Sequence, residues 1–314
     1  MGKELQDLTE KNLSGANLIR ASLSGADLRG MNLHMAQLTR AKLSEANLAG
    51  AELGGADLRK ADLREANLGE SILYKANLEG ADLTGARLRN ADLRGANLQG
   101  ADLTDADFGT ADLSAADLRG ANLRGAKLMG TRLVASNFGE ADLTGCQICG
   151  AFMWNAKLQD ARQLDIVVTV PGEPAVTVDG LEHAQFIRLL LHHKNLCNML
   201  DPSASRFALI VGHFASGRKN ILNRMRNILR RSNYIPISLD VEKSAGRDIG
   251  DSLSALAQIA MYVVADASST GSITRELESI VSGPRRIPVI TYPEDLYWAL
   301  QEDVNISGGL KRMN

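Results

Sequence analysis

Two stretches in the C-terminal half carry residue types that could do chemistry at short spacing. Gly212-His213-Phe214 follows an apolar run and leads into Ser216, Gly217, Arg218 and Lys219. Asp266 follows a second apolar run and leads into Thr270, Gly271, Ser272 and, one helical turn on, Glu276. The first loop offers free N–H groups at a helix start beside two cations, which suits phosphate. It lacks the GxxxxGK[ST] spacing of a P-loop, and Gly217 can equally open a helix with Arg218 and Lys219 in water. Asp266 and Glu276 offer carboxylates to a ligand, or serve as a loop cap and a solvated helix residue. A third motif, Cys146-Gln-Ile-Cys149, has the spacing of half a zinc site, but no second Cys or His pair lies near it in sequence. Cys146 reads instead as a small core residue, and no metal or resident cofactor is expected.

The elements that must position the first two groups alternate strand and helix. Residues 207–211, 234–239, 261–265 and 287–291 are apolar strand runs, with Pro236 marking an expected edge strand. Between them lie helical patterns at 220–230 (with a basic outer face), 249–260 and 273–281, and a last helix runs through Trp298. This order calls for a parallel sheet with helices on both faces, and ligands in such sheets bind outside the carboxyl ends of the strands. Upstream, 165–170 and 175–178 read as short strands around a Pro-Gly turn, expected to cap the N-terminal half. An amphipathic helix at 181–191 follows.

Residues 1–160 have a different character. Leu recurs at every fifth residue from Leu8 to Leu158, with departures only at Phe108, Phe138, Ile148 and Met153. From residue 16 on, the position two before each is Ala, except at Met31, Ser71, Thr131, Ser136 and Cys146, and Asp or Asn commonly lies between. A five-residue step on an α-helix advances about 140°, which would spread Leu around the whole circumference. The period instead fits a chain that turns a corner at each repeat, with Leu and Ala inward. Four corners close a coil, and stacked coils lie about 4.8 Å apart. Such a narrow interior is expected to suit Ala and Leu and to exclude aromatic rings. The expected domains are 1–160, a bridge at 161–204, and an α/β domain at 205–314.

The spacing Ala26-Asp27-Leu28-Arg29-Gly30, repeated along half the chain, resembles the pentapeptide-repeat family. The resemblance implies a right-handed quadrilateral β-helix that serves as a scaffold for partner proteins or for self-assembly. Some members of that family mimic DNA and bind gyrase. The stretch Val263-Val-Ala-Asp266, Thr270-Gly271-Ser272, Glu276-Leu277 resembles nucleoside 2-deoxyribosyltransferases, relatives of TIR domains, some of which cleave NAD at its N-glycosidic bond. That second resemblance implies Glu276 as the catalytic carboxylate that stabilises an oxocarbenium-like state. It further implies Asp266 on ribose hydroxyls and Phe214 stacking on a base, with Gly212, His213, Ser216, Arg218, Lys219, Thr270 and Ser272 completing a nucleotide site. The motif departs from its pattern where Ile-Thr-Arg separates Ser272 from Glu276. A non-enzymatic interaction scaffold is the competing reading.

Composition narrows the classes. The chain has 314 residues and a formal charge of −2, which excludes a strongly basic nucleic-acid binder. Residues 1–160 hold 18 Lys+Arg against 21 Asp+Glu. A duplex-like rod would need on the order of 20 net charges, so DNA mimicry is disfavoured even though Asp102, Asp105 and Asp107 cluster. No run of 18 apolar residues is present and the first residues lack a signal-like stretch, so a cytoplasmic protein without membrane contact is expected. Three cysteines fit no disulfide framework.

Overall fold

The computed structural model describes residues 12–192, 206–212, 214, 218–241, 249–266, 287 and 289–292. The chain falls into two units, 1–166 and 167–314. In the first, parallel bridges join each residue of the rung column to the one twenty ahead, from Asn12↔Asn32 to Asp142↔Arg162. One coil therefore takes twenty residues, four repeats. The bonding continues to Gly145 N–H on the Leu164 carbonyl at 2.9 Å, so the coil extends past residue 160.

Repeat 91–95 shows why each position has its residue type. Ala91 N–H closes a turn on the Leu88 carbonyl, Asp92 N–H reaches the Ser71 carbonyl one coil back, and Leu93 and Gly95 N–H reach Asp112 and Ser114 one coil ahead. Arg94 N–H has no backbone acceptor in this scheme, and the Asp92 carboxylate takes it at 3.1 Å. Every donor of the repeat is thus satisfied, which a buried backbone requires. Asp or Asn is favoured before Leu because its side chain supplies the missing acceptor. The last residue of each repeat sits at positive φ, third in a β-turn, as Gly95 does at +66°. Many of these positions are not glycine; Glu45, Thr110 and Ala115 hold φ of +60°, +59° and +59°.

Leu and Ala point inward and from Leu33 to Leu143 are sealed from solvent. The interior does accept rings: Phe108 and Phe138 occupy Leu positions at 0% exposure. Each is an isolated ring whose stacked positions one coil away hold leucine, Leu88 and Leu128 around Phe108. Four exceptions in the Ala column donate to carbonyls. Thr131, Ser136 and Cys146 reach Phe108, Leu113 and Leu123 at 2.9 Å, and Ser71 reaches Leu68 at 2.7 Å.

The second unit is built on a six-stranded sheet with order β1-β2-β4-β3-β5-β6. Its strands are β1 (Ile166–Val167), β2 (Ala175–Val178), β3 (Phe207–Gly212), β4 (Ile235–Asp240), β5 (Tyr262–Asp266) and β6 (Val289–Tyr292). The helices are α1 (Leu181–His192), α2 (Lys219–Arg231) and α3 (Ile249–Ile259). β4, β3, β5 and β6 are parallel, as the strand-helix alternation predicts, but β2 pairs antiparallel with β4, so the sheet is mixed. The two short strands expected to cap the coil thus extend this sheet.

Pro236 does not mark an edge, because β4 is paired on both sides. Ile235 donates to Arg206 just before β3 and Val241 donates to Gly212 at its end, so the N–H groups of odd positions face β3 and position 236 faces β2. β2 ends at Val178 opposite Ile237, so no strand partner stands where the proline lacks a donor. The basic face of α2 also differs from expectation. Arg226 is 7% exposed and reaches Ser238 on β4 at 3.0 Å and Thr177 on β2 at 2.5 Å. Arg230 holds Asp179 through two bonds of 2.6 and 2.8 Å. The cations fasten the helix to the antiparallel strand. The helices expected at 273–281 and through Trp298 lie outside the described residues.

Candidate functional site

The parallel strands place one set of side chains at a topological switch. From β3 the chain passes through α2 to β4 on one side, and from β4 through α3 to β5 on the other. Crevices at such a reversal, at the carboxyl ends of the strands, are where open α/β sheets hold ligands. Gly212 ends β3, Asp240 ends β4 and Asp266 ends β5, with Gly212 directly opposite Asp240. Asp266 is 1% exposed, and Arg218 at the start of α2 reaches its carboxylate at 3.4 Å. Burying a carboxylate is costly unless it is paired, and Arg218 supplies a charge partner.

Gly212 is needed for packing. A Cβ there would lie 2.7 Å from Phe214 Cε1 and 3.1 Å from Asp266 Cβ. The Phe214 ring is 3% exposed and belongs to the apolar cluster with Ala208, Ile210, Leu222, Met225 and Leu229. That burial gives Phe214 a core role and leaves its faces closed to a stacked base. Its N–H donates to Asp240 at 3.3 Å, which ties Phe214 to the end of β4. Asp240 went unremarked in the sequence; its signal was its position immediately after the Tyr234–Leu239 run, where a carboxyl-end ligand group belongs. Lys219 opens α2 beside Arg218, adding a cation at the positive end of the helix dipole. The structure therefore brings together Gly212, Arg218 and Asp266 with Lys219 at the rim. His213, Ser216, Thr270, Ser272 and Glu276 lie outside the described residues. The assembled groups can offer carboxylates to hydroxyls and cations to an anion.

The coil presents a different surface. Five local pairs, Asp27–Arg29, Asp57–Arg59, Asp62–Arg64, Asp92–Arg94 and Asp117–Arg119, are forked, each with an Nη2–Oδ2 contact of 2.7 Å. The Arg beside Asp57 holds its carboxyl at about 2, and the other four are likewise held below the usual carboxylate value by their arginines. In the cluster expected to be acidic, Asp102 accepts from Thr104 and Asn122, and Asp107 accepts from Gly109 and Arg89. These acids are spent on backbone donors and local cations. Cys146 is sealed in the coil, and burial pushes its thiol pKa up. No group of three or more His, Cys, Asp or Glu among the described residues could hold a metal ion. No helix among them is long and apolar enough to cross a membrane.

Comparison with known proteins addresses the coil. A family model described as pentapeptide repeats matches eight copies across residues 6–34 and 36–145. No curated protein matches the chain. Among solved structures, HetL from the cyanobacterium Nostoc sp. strain PCC 7120, a pentapeptide repeat protein involved in regulating heterocyst differentiation, is 35% identical. That match covers 50% of this chain and 76% of HetL, with a TM-score of 0.26. A second Nostoc pentapeptide repeat protein, alr5209, is 36% identical over 34% of this chain and 83% of its own, with a TM-score of 0.20. QnrB1, a plasmid-mediated fluoroquinolone resistance protein, is 19% identical over 46% of this chain and 73% of its own, with a TM-score of 0.45.

Proposed function

The chain belongs to the pentapeptide-repeat family, and from that premise we propose that its coil is a protein-interaction scaffold joined to a small α/β domain. One observation carries this reading: the coil is filled by its own leucines and alanines, so its outer faces are what it offers to other molecules. The right-handed quadrilateral winding and a cytoplasmic setting, in which the buried Cys146 and Cys149 stay reduced, belong to the same reading. A DNA-mimicking gyrase inhibitor is disfavoured, because forked arginines neutralise the acids that would imitate phosphates.

The cluster at the switch point favours a second reading, in which the α/β domain is TIR-like and binds a nucleotide such as NAD or a nucleoside. In it Asp266 and Arg218 meet ribose and phosphate groups, and Glu276 carries any glycosidic cleavage. One experiment separates the two. The purified full chain and its Glu276→Gln variant are incubated with NAD and with nucleosides, and released base is measured by chromatography. The scaffold reading expects no release from either protein. Release by the native chain that Glu276→Gln abolishes would transfer the function to the α/β domain. The scaffold itself is tested by photo-crosslinkers placed on the coil's outer positions in the source cells, where specific protein adducts are expected.

A further inference from the structure

The last position of each repeat lies at a turn, and few of these positions carry a cation. From Gly15 to Asp165 only Arg20, Arg40, Lys60 and Lys75 do. The first three are exposed and stand twenty residues apart, so they stack in one column at a step of about 4.8 Å and span about 10 Å. Like charges facing each other on adjacent strands repel. The forked arginines of the coil use an Asp two residues earlier, but here that place holds the interior Leu18, Leu38 and Leu58. The acids on the neighbouring rungs, Asp57 and Asp62, are forked to Arg59 and Arg64. Among the described residues, none of the three stacked cations has an ion-pair partner. The column borders a concavity of about 350 Å³, which Arg20, Arg40, Arg59 and Lys60 line together with Ile19 and Glu79. In coil order Ile19 stands at its first end and Glu79 at its last. Past Glu79 the column continues without charge as Gly80, Gly100 and Gly120.

We propose that this groove binds a short phosphate chain, a triphosphate lying along the coil axis. Charge density selects that class. Carboxylates on one face of an extended peptide recur about every 6.6 Å, and along a helix about every 5.4 Å, both wider than the cation step. Successive phosphates share a bridging oxygen, so their charges stand closer together and keep all three cations engaged. The two stacked guanidiniums offer forked donors that match phosphate oxygens, and Lys60 adds a point charge. Length is limited as well: the run of cations stops after three coils, where the Glu79 carboxylate faces the groove and repels a longer anion. A nucleic-acid strand would need the cations to continue where the glycines stand. The volume lies at the small end of the range for ligand sites. Such a chain occurs free or on a nucleotide; the two share the cations and differ at Ile19, 46% exposed, which a nucleotide's base can cover. All these residues belong to the coil, so the site is separate from the strand-end cluster of the second unit.

Titration calorimetry of the full chain with inorganic triphosphate at low salt tests the proposal. Saturable binding is expected with Kd on the order of 100 µM, weakening as salt is raised. Arg40→Asn and Lys60→Asn should each weaken it at least about tenfold with an unchanged circular dichroism spectrum, since Asn tolerates the left-handed backbone at these positions. Glu79→Gln should tighten it about threefold, a gain that no loss of structure would produce. Arg94→Gln, at an arginine outside the groove that has its own Asp92, should leave it unchanged. ATP in place of triphosphate distinguishes the sources through the part of binding that Arg40→Asn removes. A tighter Kd for ATP assigns the chain to a nucleotide, and a weaker one assigns it to a free oligophosphate. Failure of triphosphate to bind, or binding that survives Arg40→Asn, overturns the proposal. So does tighter binding of orthophosphate, of a poly-glutamate peptide or of a single-stranded oligonucleotide than of triphosphate.

Discussion

Ala115 gives a sharp test of the coil's backbone. It closes its repeat at φ +59°, and its methyl group is exposed, so removing that group loses no packing. An exposed Ala→Gly change ordinarily costs about 0.5–1 kcal/mol, because glycine has more freedom in the unfolded chain. A left-handed backbone costs an L-residue about 1–2 kcal/mol, which glycine does not incur. The second effect is larger, so Ala115→Gly should stabilise by about 0.5–1 kcal/mol, the reverse of the usual sign. Gly100→Ala is the mirror experiment: φ is +61° and nothing lies within 4 Å of the added Cβ, so no clash adds to the backbone strain. Each coil contacts only its neighbours, so the effect is local and amide exchange is the assay. Ala116 N–H, which bonds Leu113 O at 3.0 Å across the turn, should gain about two- to fivefold protection in Ala115→Gly. Ala101 N–H, bonded to Leu98 O at 3.1 Å, should lose as much in Gly100→Ala. If Ala115→Gly lowers protection, or Gly100→Ala leaves it unchanged, left-handed strain is not what sets the residue preference at this position.

Two further outcomes follow from named contacts. Asp57 titrates at about 2 in the fold against an ordinary 3.8, so its arginine pair stabilises the ionised form. That contribution is complete above about pH 4 and is lost as pH falls from 3.8 through 2, so the melting temperature should drop across that window and less steeply in Asp57→Asn; a profile identical to the native one in the variant would refute the assignment. Gly212→Ala forces the Phe214 ring and the Asp266 side chain apart, and should cost about 1–3 kcal/mol in urea unfolding, recovered in part by adding Phe214→Leu; a neutral Gly212→Ala would mean that the ring is not seated where the cluster places it.

The coil was legible because every repeat meets the same surroundings: one inward Leu at 0% exposure, such as Leu93, predicts the next. Partner choice outside that column was not legible. Whether Asp92 faces solvent or Arg94 depends on a side chain two residues on, which composition counts as two cancelling charges. Pro236 was misplaced because its tolerance is set by where another strand, β2, happens to stop. Arg226 looked solvated because helix periodicity records polarity and cannot see Ser238 and Thr177 across the sheet. At the switch point, Gly212 and Asp266 came together as their strand ends required, with Arg218 reaching Asp266 from the start of α2, while Phe214 turned inward because a glycine beside it left room for the ring.

Bonding at intervals of twenty residues makes the coil behave like a screw thread, in which length and facing are the same variable. Duplicating twenty residues lengthens the rod by one pitch and returns every later side chain to its old compass bearing. Duplicating a single repeat keeps every hydrogen bond and every leucine in place but swings all that follows through a quarter turn. A gene growing by whole turns could therefore extend the rod without disturbing any surface it had already acquired. Growth by single repeats would have to find those surfaces again.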